Sequence, residues 1–366
     1  MSLDSPDTPE VRIDPLTGLR VLVAGARAGR PGAMPEFSEP APLEPADDPF
    51  AEGNESMTPP EVWADRPGGR ASNGPGWRVR SVTNMYPALV QAFAGDAGAP
   101  AAGTHPAGTI DPGSGPPPDP LGAMRGMPQL LASGPAFGAH EVIVNSPRGV
   151  RSLAQLTLDE LEVTIQGWAA RIATHRDNPE VAYVHLCVNE RAEAGASLPH
   201  SHSQLYALPF VPALVARERE RMRAYFEQTQ GRNLAEDLLI EEVRGGERLV
   251  AIDDDAALIA PYASATPYRL NVVPRRPEAR FELSEHRGTA MLHRALNALT
   301  GLFGQTPPLN LWIRTAPADA ESFGWRIEIV PRIGQPAGME LGTGVSINSM
   351  SPEKSASELR DALAAA

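Results

Sequence analysis

The stretch Gly195-Ala-Ser-Leu-Pro-His200-Ser-His202-Ser-Gln204 sets two imidazoles and an amide at alternate positions directly after a turn of small residues. Side chains at i, i+2 and i+4 of an extended strand share one face. His200, His202 and Gln204 are therefore expected to project together. Beside them lies a Gly195-Ala-Ser197 loop whose backbone N–H groups and Ser197 hydroxyl suit a phosphate. A bare His-x-His also occurs in metal sites and as ordinary strand histidines, so its neighbours decide the reading. Asn189, Gly195, Ser197, Pro199 and Gln204 all fall within one window of 16 residues around the pair.

Working outward, the chain repeats one succession of elements. Residues 140–145 read as a strand, 158–172 as an amphipathic helix, and 181–189 and 200–208 as two further strands. The order returns as a strand over 268–273, a helix over 284–303, and strands over 309–314 and 325–330. Two such units imply an α+β protein in which both copies contribute to one pseudo-two-fold antiparallel sheet with helices packed on it. The units are placed at 1–209 and 210–366. Residues 94–126, rich in Ala, Gly and Pro, offer little apolar surface to offset ordering entropy and read as a flexible insertion. The charged run over 217–230 reads as a solvated helix face.

Aligning the copies sets Gly324, Arg326 and Glu328 opposite His200, His202 and Gln204. Neither glycine nor a guanidinium, which stays protonated, can serve as a nucleophile or base at neutral pH. One chemical centre is left, in the first unit.

Composition narrows the function. With 366 residues and 42% hydrophobic content the chain can bury a substantial core. A net charge of −13 argues against a sequence-independent nucleic-acid partner, which needs a basic face. Any phosphate site must be locally basic. Lys354 is the single lysine and Cys187 the single cysteine, so a lysine nucleophile elsewhere, an internal disulfide and a multi-cysteine metal site are all excluded. The N-terminus has no apolar run of the secretory type and no stretch is long enough to span a membrane, so a cytoplasmic location without membrane contact is expected.

The window around His202 resembles the active-site signature of the galactose-1-phosphate uridylyltransferases: an Asn, a Gly-rich turn, a Ser and His-Pro-His-x-Gln. The resemblance extends to Arg12-Ile-Asp-Pro15-Leu-Thr-Gly18, to Arg27 and Arg30, to Asp48-Pro-Phe-Ala51 and Asn54, and to Asn84. In the C-terminal half it includes Asn310, Trp325-Arg-Ile-Glu328 and Gly338-Met-Glu340. It covers roughly residues 10–92 and 136–362. It implies two fused histidine-triad-like folds and a double displacement in which His202 attacks the α-phosphorus of a nucleotide sugar and holds the nucleotide covalently. UDP-glucose and galactose 1-phosphate are the implied substrates. Inorganic phosphate acting on ADP-glucose is the alternative, and a non-catalytic nucleotide-binding protein is a second alternative.

The resemblance also assigns the remaining roles. Gln204 would donate to a phosphate oxygen, with Gly195 and Ser197 stabilising transition-state charge. Arg27, Arg30, Asn84, Asn189 and Glu340 would contact substrate, and a homodimer is implied. Family members often hold zinc, but the matching positions here are Asp48, Ala51, Gly149 and His200. Those of a second metal are Glu218, Pro277, Gly324 and Arg326. No metal or other cofactor is therefore expected, and Asp48 is expected to pair with His200 and pin the active-site turn.

Overall fold

Apolar and polar residues alternate along Tyr183–Glu190 and along His202–Leu208, the pattern of strands with one packed and one open face. The computed structural model describes residues 8–29, 37, 43–90, 136–320 and 322–365, and both segments are strands in it. Arg30 and the 94–126 insertion lie outside the described residues.

The N-terminal part contains β1 (Glu10–Ile13), β2 (Arg20–Val23), β3 (Glu61–Asp65), β4 (Val79–Thr83) and β5 (Ala139–Val144). Then come α1 (Leu158–Arg176), β6 (Tyr183–Glu190), β7 (His202–Leu208), α2 (Ala213–Gln228) and α3 (Leu234–Gly245). They are followed by β8 (Leu249–Ile252), β9 (Ala256–Ile259), β10 (Leu270–Pro274), α4 (Thr289–Phe303), β11 (Leu309–Arg314) and β12 (Arg326–Pro331). The chain closes with α5 (Gly338–Thr343), β13 (Ser346–Asn348) and α6 (Pro352–Ala365).

Ten strands form one sheet in the order β3-β4-β5-β7-β6-β11-β12-β10-β9-β8, with every neighbouring pair antiparallel. The order reads alike from either end: an outer pair, then β5 or β10, then the two strands that follow a long helix. The halves meet at β6 and β11, where Asn189 lies opposite Asn310. β1, β2 and β13 form a separate small sheet.

One face of the large sheet carries the core. Val184, Leu186, Val188, Leu205, Ala207, Leu311, Ile313, Ile327 and Ile329 all turn to the same side and pack with α1, α4 and α6. α1 begins at a reciprocal cap, where the Thr157 hydroxyl accepts from Glu160 N and the Glu160 carboxylate from Thr157 N. Leu161, Ile165, Trp168 and Ile172 recur at helical spacing and are fully buried, each contributing roughly 2 kcal/mol of apolar burial.

Polar links also cross this layer, the most heavily bonded at Glu141. Glu141 of β5 receives Arg171 and His175 of α1 and the hydroxyl of Ser81. Burial opposes its charge, yet the His175 and Arg171 contacts outweigh it and hold the carboxyl down at about 2.

Three expectations need correction. α4 starts at Thr289 rather than 284, because Gly288 turns left-handed (φ +68°) and a Cβ there would meet Val272 Cγ1 at 2.7 Å. The charged run of α2 is not wholly solvated, since Glu218 turns inward and is completely buried. β7 starts at His202, so His200 precedes the strand instead of sharing its open face. Among the described residues no helix is long and apolar enough to cross a membrane.

Candidate active site

β7 lies between β5 and β6, with Val144 opposite His202 and Cys187 opposite Gln204. Since Leu205 and Ala207 face the core, His202, Gln204 and Tyr206 face the other way. Nδ1 of His202 donates to the carbonyl oxygen of His200 at 2.8 Å. That bond places the proton on Nδ1 and leaves the Nε2 lone pair available. Nε2 has no hydrogen-bond partner among the described residues. Burial, and then the charge of neighbouring His200, lower the pKa of His202, so the ring is neutral at pH 7. Phe50 packs on it with ring centroids 5.2 Å apart.

His200 has a different environment. Its Nδ1 lies 2.7 Å from the Asp48 carboxylate and its Nε2 2.8 Å from the Ser146 carbonyl oxygen. The ring is thus held from both edges. Asp48 also accepts from the backbone N–H of Phe50. The pair therefore ties the 48–50 segment to the turn before β7.

Gln204 is aligned by two residues that the sequence did not single out. Its carbonyl oxygen accepts the Tyr206 hydroxyl at 2.7 Å and lies 3.1 Å from Nε2 of His140. Nδ1 of His140 accepts from Ala88 N, which puts the His140 proton on Nε2, toward Gln204. With its oxygen held on both sides, the amide NH2 of Gln204 is the end left without a partner among the described residues. His140 stacks on Tyr206 at 4.1 Å, and burial lowers its pKa. Asn84 Nδ2 lies 3.0 Å from the same Nε2 of His140, but with the proton on Nε2 both atoms are donors, so this is proximity and not a hydrogen bond. No local pattern distinguishes His140, on a strand buried along its whole length.

Asn145 was missed as well. Its side chain bonds the hydroxyls of Ser201 and Ser203 and the indole N–H of Trp168, fixing β7 to α1. At the turn, Asn310 donates from one amide nitrogen to Asn189 Oδ1 and to the Ala194 carbonyl, at 2.7 and 2.8 Å. Gly195 adopts φ +89°, where a side chain is strained, and Ser197 is exposed beside it.

Arg27 and Glu340 are not joined to this group by any contact among the described residues. Arg27 follows β2, and Glu340 caps α5 by accepting from Ala337 N. Bonds from its own backbone and that of Ala337, aided by the charge of Arg27, lower the Glu340 pKa.

Residues 1–212 match the family model described as galactose-1-phosphate uridyl transferase, N-terminal domain, which is more than half of the chain. The chain belongs to this family. Residues 140–366 of this galactose-1-phosphate uridyl transferase relative also match a domain of unknown function, DUF4921. It is 27% identical to an ADP-glucose phosphorylase from Arabidopsis thaliana over 97% of this chain and 93% of that protein. It is 28% identical to a galactose-1-phosphate uridylyltransferase from Thermotoga maritima over 61% of this chain and 74% of that protein. The crystal structure of an Arabidopsis thaliana ADP-glucose phosphorylase with bound ADP-glucose shares the fold, with a TM-score of 0.73 and 24% identity over 96% of this chain and 99% of that one.

The family's zinc does not fit the residues present. A tetrahedral structural site draws four protein donors. Ala51 and Gly149 have none to give, and Asp48 and His200 are bonded to each other. The second metal fits no better. The Arg326 guanidinium clamps both carboxylate oxygens of Glu218 and lies 2.8 Å from Glu328, which Arg269 also binds. Burial opposes the Glu328 charge, but Arg326, Arg269 and Arg314 outweigh it and hold that carboxyl far below its ordinary range. Arg326, at a position that the resemblance assigns to a ligand of the second metal, is a fixed guanidinium cation.

Proposed function

We propose that the protein is a nucleotidyltransferase that carries a nucleoside monophosphate on Nε2 of His202, between a nucleotide sugar and a phosphate-bearing acceptor. The supporting observation is the His202 ring: neutral, oriented by its bond to the His200 carbonyl, and with Nε2 unengaged on the same face as the Gln204 amide. The lone pair attacks the α-phosphorus, the bond to the sugar-phosphate oxygen breaks, and that oxygen leaves with the electron pair. A phosphate oxygen of the acceptor then attacks the same phosphorus and the N–P bond breaks, restoring the imidazole. Neutral nitrogen avoids the repulsion between two anionic phosphates. Gln204 and Ser197 stabilise charge on the phosphoryl oxygens, each good donor supplying roughly 3 kcal/mol, whereas the N–H groups of Gly195 and Ala196, expected to help, donate within the turn to the carbonyls of Ala192 and Arg191.

In this reading the donor is UDP-glucose and the acceptor a hexose 1-phosphate. Cleavage of ADP-glucose by inorganic phosphate is the second reading, favoured by similarity to the Arabidopsis thaliana phosphorylase along 97% of this chain. Arg27, Arg30, Asn84, Asn189 and Glu340 serve substrate binding. We read the two halves, 1–209 and 210–366, as fused histidine-triad-like copies in a cytoplasmic homodimer. The His200–Asp48 pair makes zinc unnecessary.

The test is incubation with UDP-glucose or ADP-glucose labelled at the α-phosphate. An acid-labile, base-stable adduct that is absent in His202→Ala is the expected result, and its chase by galactose 1-phosphate or by phosphate discriminates the two acceptors. Reversible binding with no adduct from either donor would refute the covalent route.

A further inference from the structure

Asn189 and Asn310 stand opposite each other where the two halves of the sheet join, on β6 and β11. The last paired step of β6 with β7 is Val188 with Ser203, and one residue further the same register sets Asn189 beside His202. Val188, Leu309 and Leu311 turn to the core, so Asn189 and Asn310 turn to the open face that carries His202 and Gln204. Adjacent strands lie about 4.8 Å apart. His202, Asn189 and Asn310 therefore form one row across β7, β6 and β11, and the second half supplies its last member.

The orientation of both amides follows from a single backbone carbonyl. The Ala194 oxygen can only accept, so the Asn310 atom 2.8 Å from it is Nδ2. That nitrogen also lies 2.7 Å from the Asn189 amide, whose facing atom must then be the acceptor Oδ1. The other end of Asn189 is its NH2. It has no hydrogen-bond partner among the described residues and is not enclosed, since Asn189 is half-buried. Ala194 is itself fixed: it is buried, and its N–H donates to the Arg191 carbonyl within the turn.

Gln204 repeats this arrangement, with its oxygen held by Tyr206 and His140 and its NH2 unpartnered among the described residues. Gln204 stands two residues from His202 along β7, and Asn189 stands one strand away. Two amide NH2 groups thus flank the ring of His202 from two directions. Charge on the phosphoryl oxygens during transfer is best met by donors already in place. An asparagine free to rotate offers its oxygen as readily as its nitrogen, and that oxygen would repel the phosphoryl group. The bond from Asn310 removes the choice.

We infer, given the covalent role proposed for His202, that Asn310 is a positioning residue for the transfer, holding Oδ1 of Asn189 so that only the Asn189 NH2 faces the phosphoryl group. Single-turnover adduct formation from UDP-glucose or ADP-glucose labelled at the α-phosphate, in the full chain, reads this directly. Asn310→Leu keeps the shape and loses the donor, and is expected to slow the saturated rate about ten-fold, the scale of one hydrogen bond. The nucleotide-sugar concentration giving half that rate should change by less than about two-fold. In an Asn189→Ala background, Asn310→Leu is expected to add less than about two-fold to the loss, whereas a general weakening of the fold would act equally in both backgrounds. Asn310→Asp, of the same shape and likewise without a donor, makes the same comparison should the leucine variant not fold. Equal losses in the two backgrounds, or no loss with Asn189 intact, would overturn the positioning role alone. No adduct from either nucleotide sugar in the unaltered protein would overturn the covalent reading and this role together.

Discussion

Asp48 and His200, 152 positions apart in sequence, form a buried hydrogen-bonded pair at 2.7 Å directly before the strand that carries His202. The pair fixes the carbonyl of His200 to which the His202 ring is bonded, and so links a loop near residue 48 to the orientation of the proposed nucleophile.

Removing one partner of a buried pair leaves the other uncompensated, which typically costs about 3–5 kcal/mol. Asp48→Ala is therefore expected to lower the unfolding free energy by about that amount in urea titrations. Adduct formation should also slow, because the turn before His202 loses its anchor. An unchanged midpoint together with unchanged turnover would exclude the pinning role.

Tyr206→Phe removes one of the two groups that hold the Gln204 oxygen. The amide can then rotate away from the phosphate, and kcat is expected to fall about ten-fold, the equivalent of one ordinary hydrogen bond of about 1.4 kcal/mol. KM and the melting temperature should change little. A rise in KM at constant kcat would show that Gln204 contributes to ground-state binding instead.

Glu190 is completely buried, and burial pushes its carboxyl up to about 7 despite bonds from Leu153 N and the Ser152 hydroxyl. A folded pKa above the unfolded one means that its contribution to stability is fully present below about pH 4.3 and is lost as the pH rises toward 7. Glu190→Gln, which cannot ionise, should gain on the parent protein over that interval by on the order of 2 kcal/mol. Thermal melts from pH 5 to 8 should show the difference in melting temperature widening with pH. A constant difference would place the titration elsewhere.

Arg326→Met would leave Glu218 and Glu328 buried without their main partner. A loss of about 3–5 kcal/mol is expected, and Glu218→Leu added to it should recover much of that, since an apolar replacement for both partners removes the stranded charge. Chemical denaturation of the single and double variants measures the coupling directly.

Much of the architecture was legible from local pattern. The period-two alternation of 181–189 and 309–314 places Val188 and Leu311 inward, because a strand must send successive side chains to opposite faces. The same rule puts His202 and Gln204 on one face. It failed for His200 because it presumes a strand, and the ladder begins only at His202. The glycine at 288 misled in the opposite sense, since a left-handed residue delays a helix whose apolar pattern begins earlier.

The sequence by itself determined the strand and helix periodicity and the motif around His202, because these depend on residue type and short spacing. Only the tertiary structure decided that Asp48 meets His200 and that His140 and Tyr206 hold Gln204. Those partners lie on different strands and loops, and they meet only after apolar burial has closed long stretches of chain. Buried hydrogen bonds and ion pairs then select the geometry that leaves the fewest polar groups unmatched.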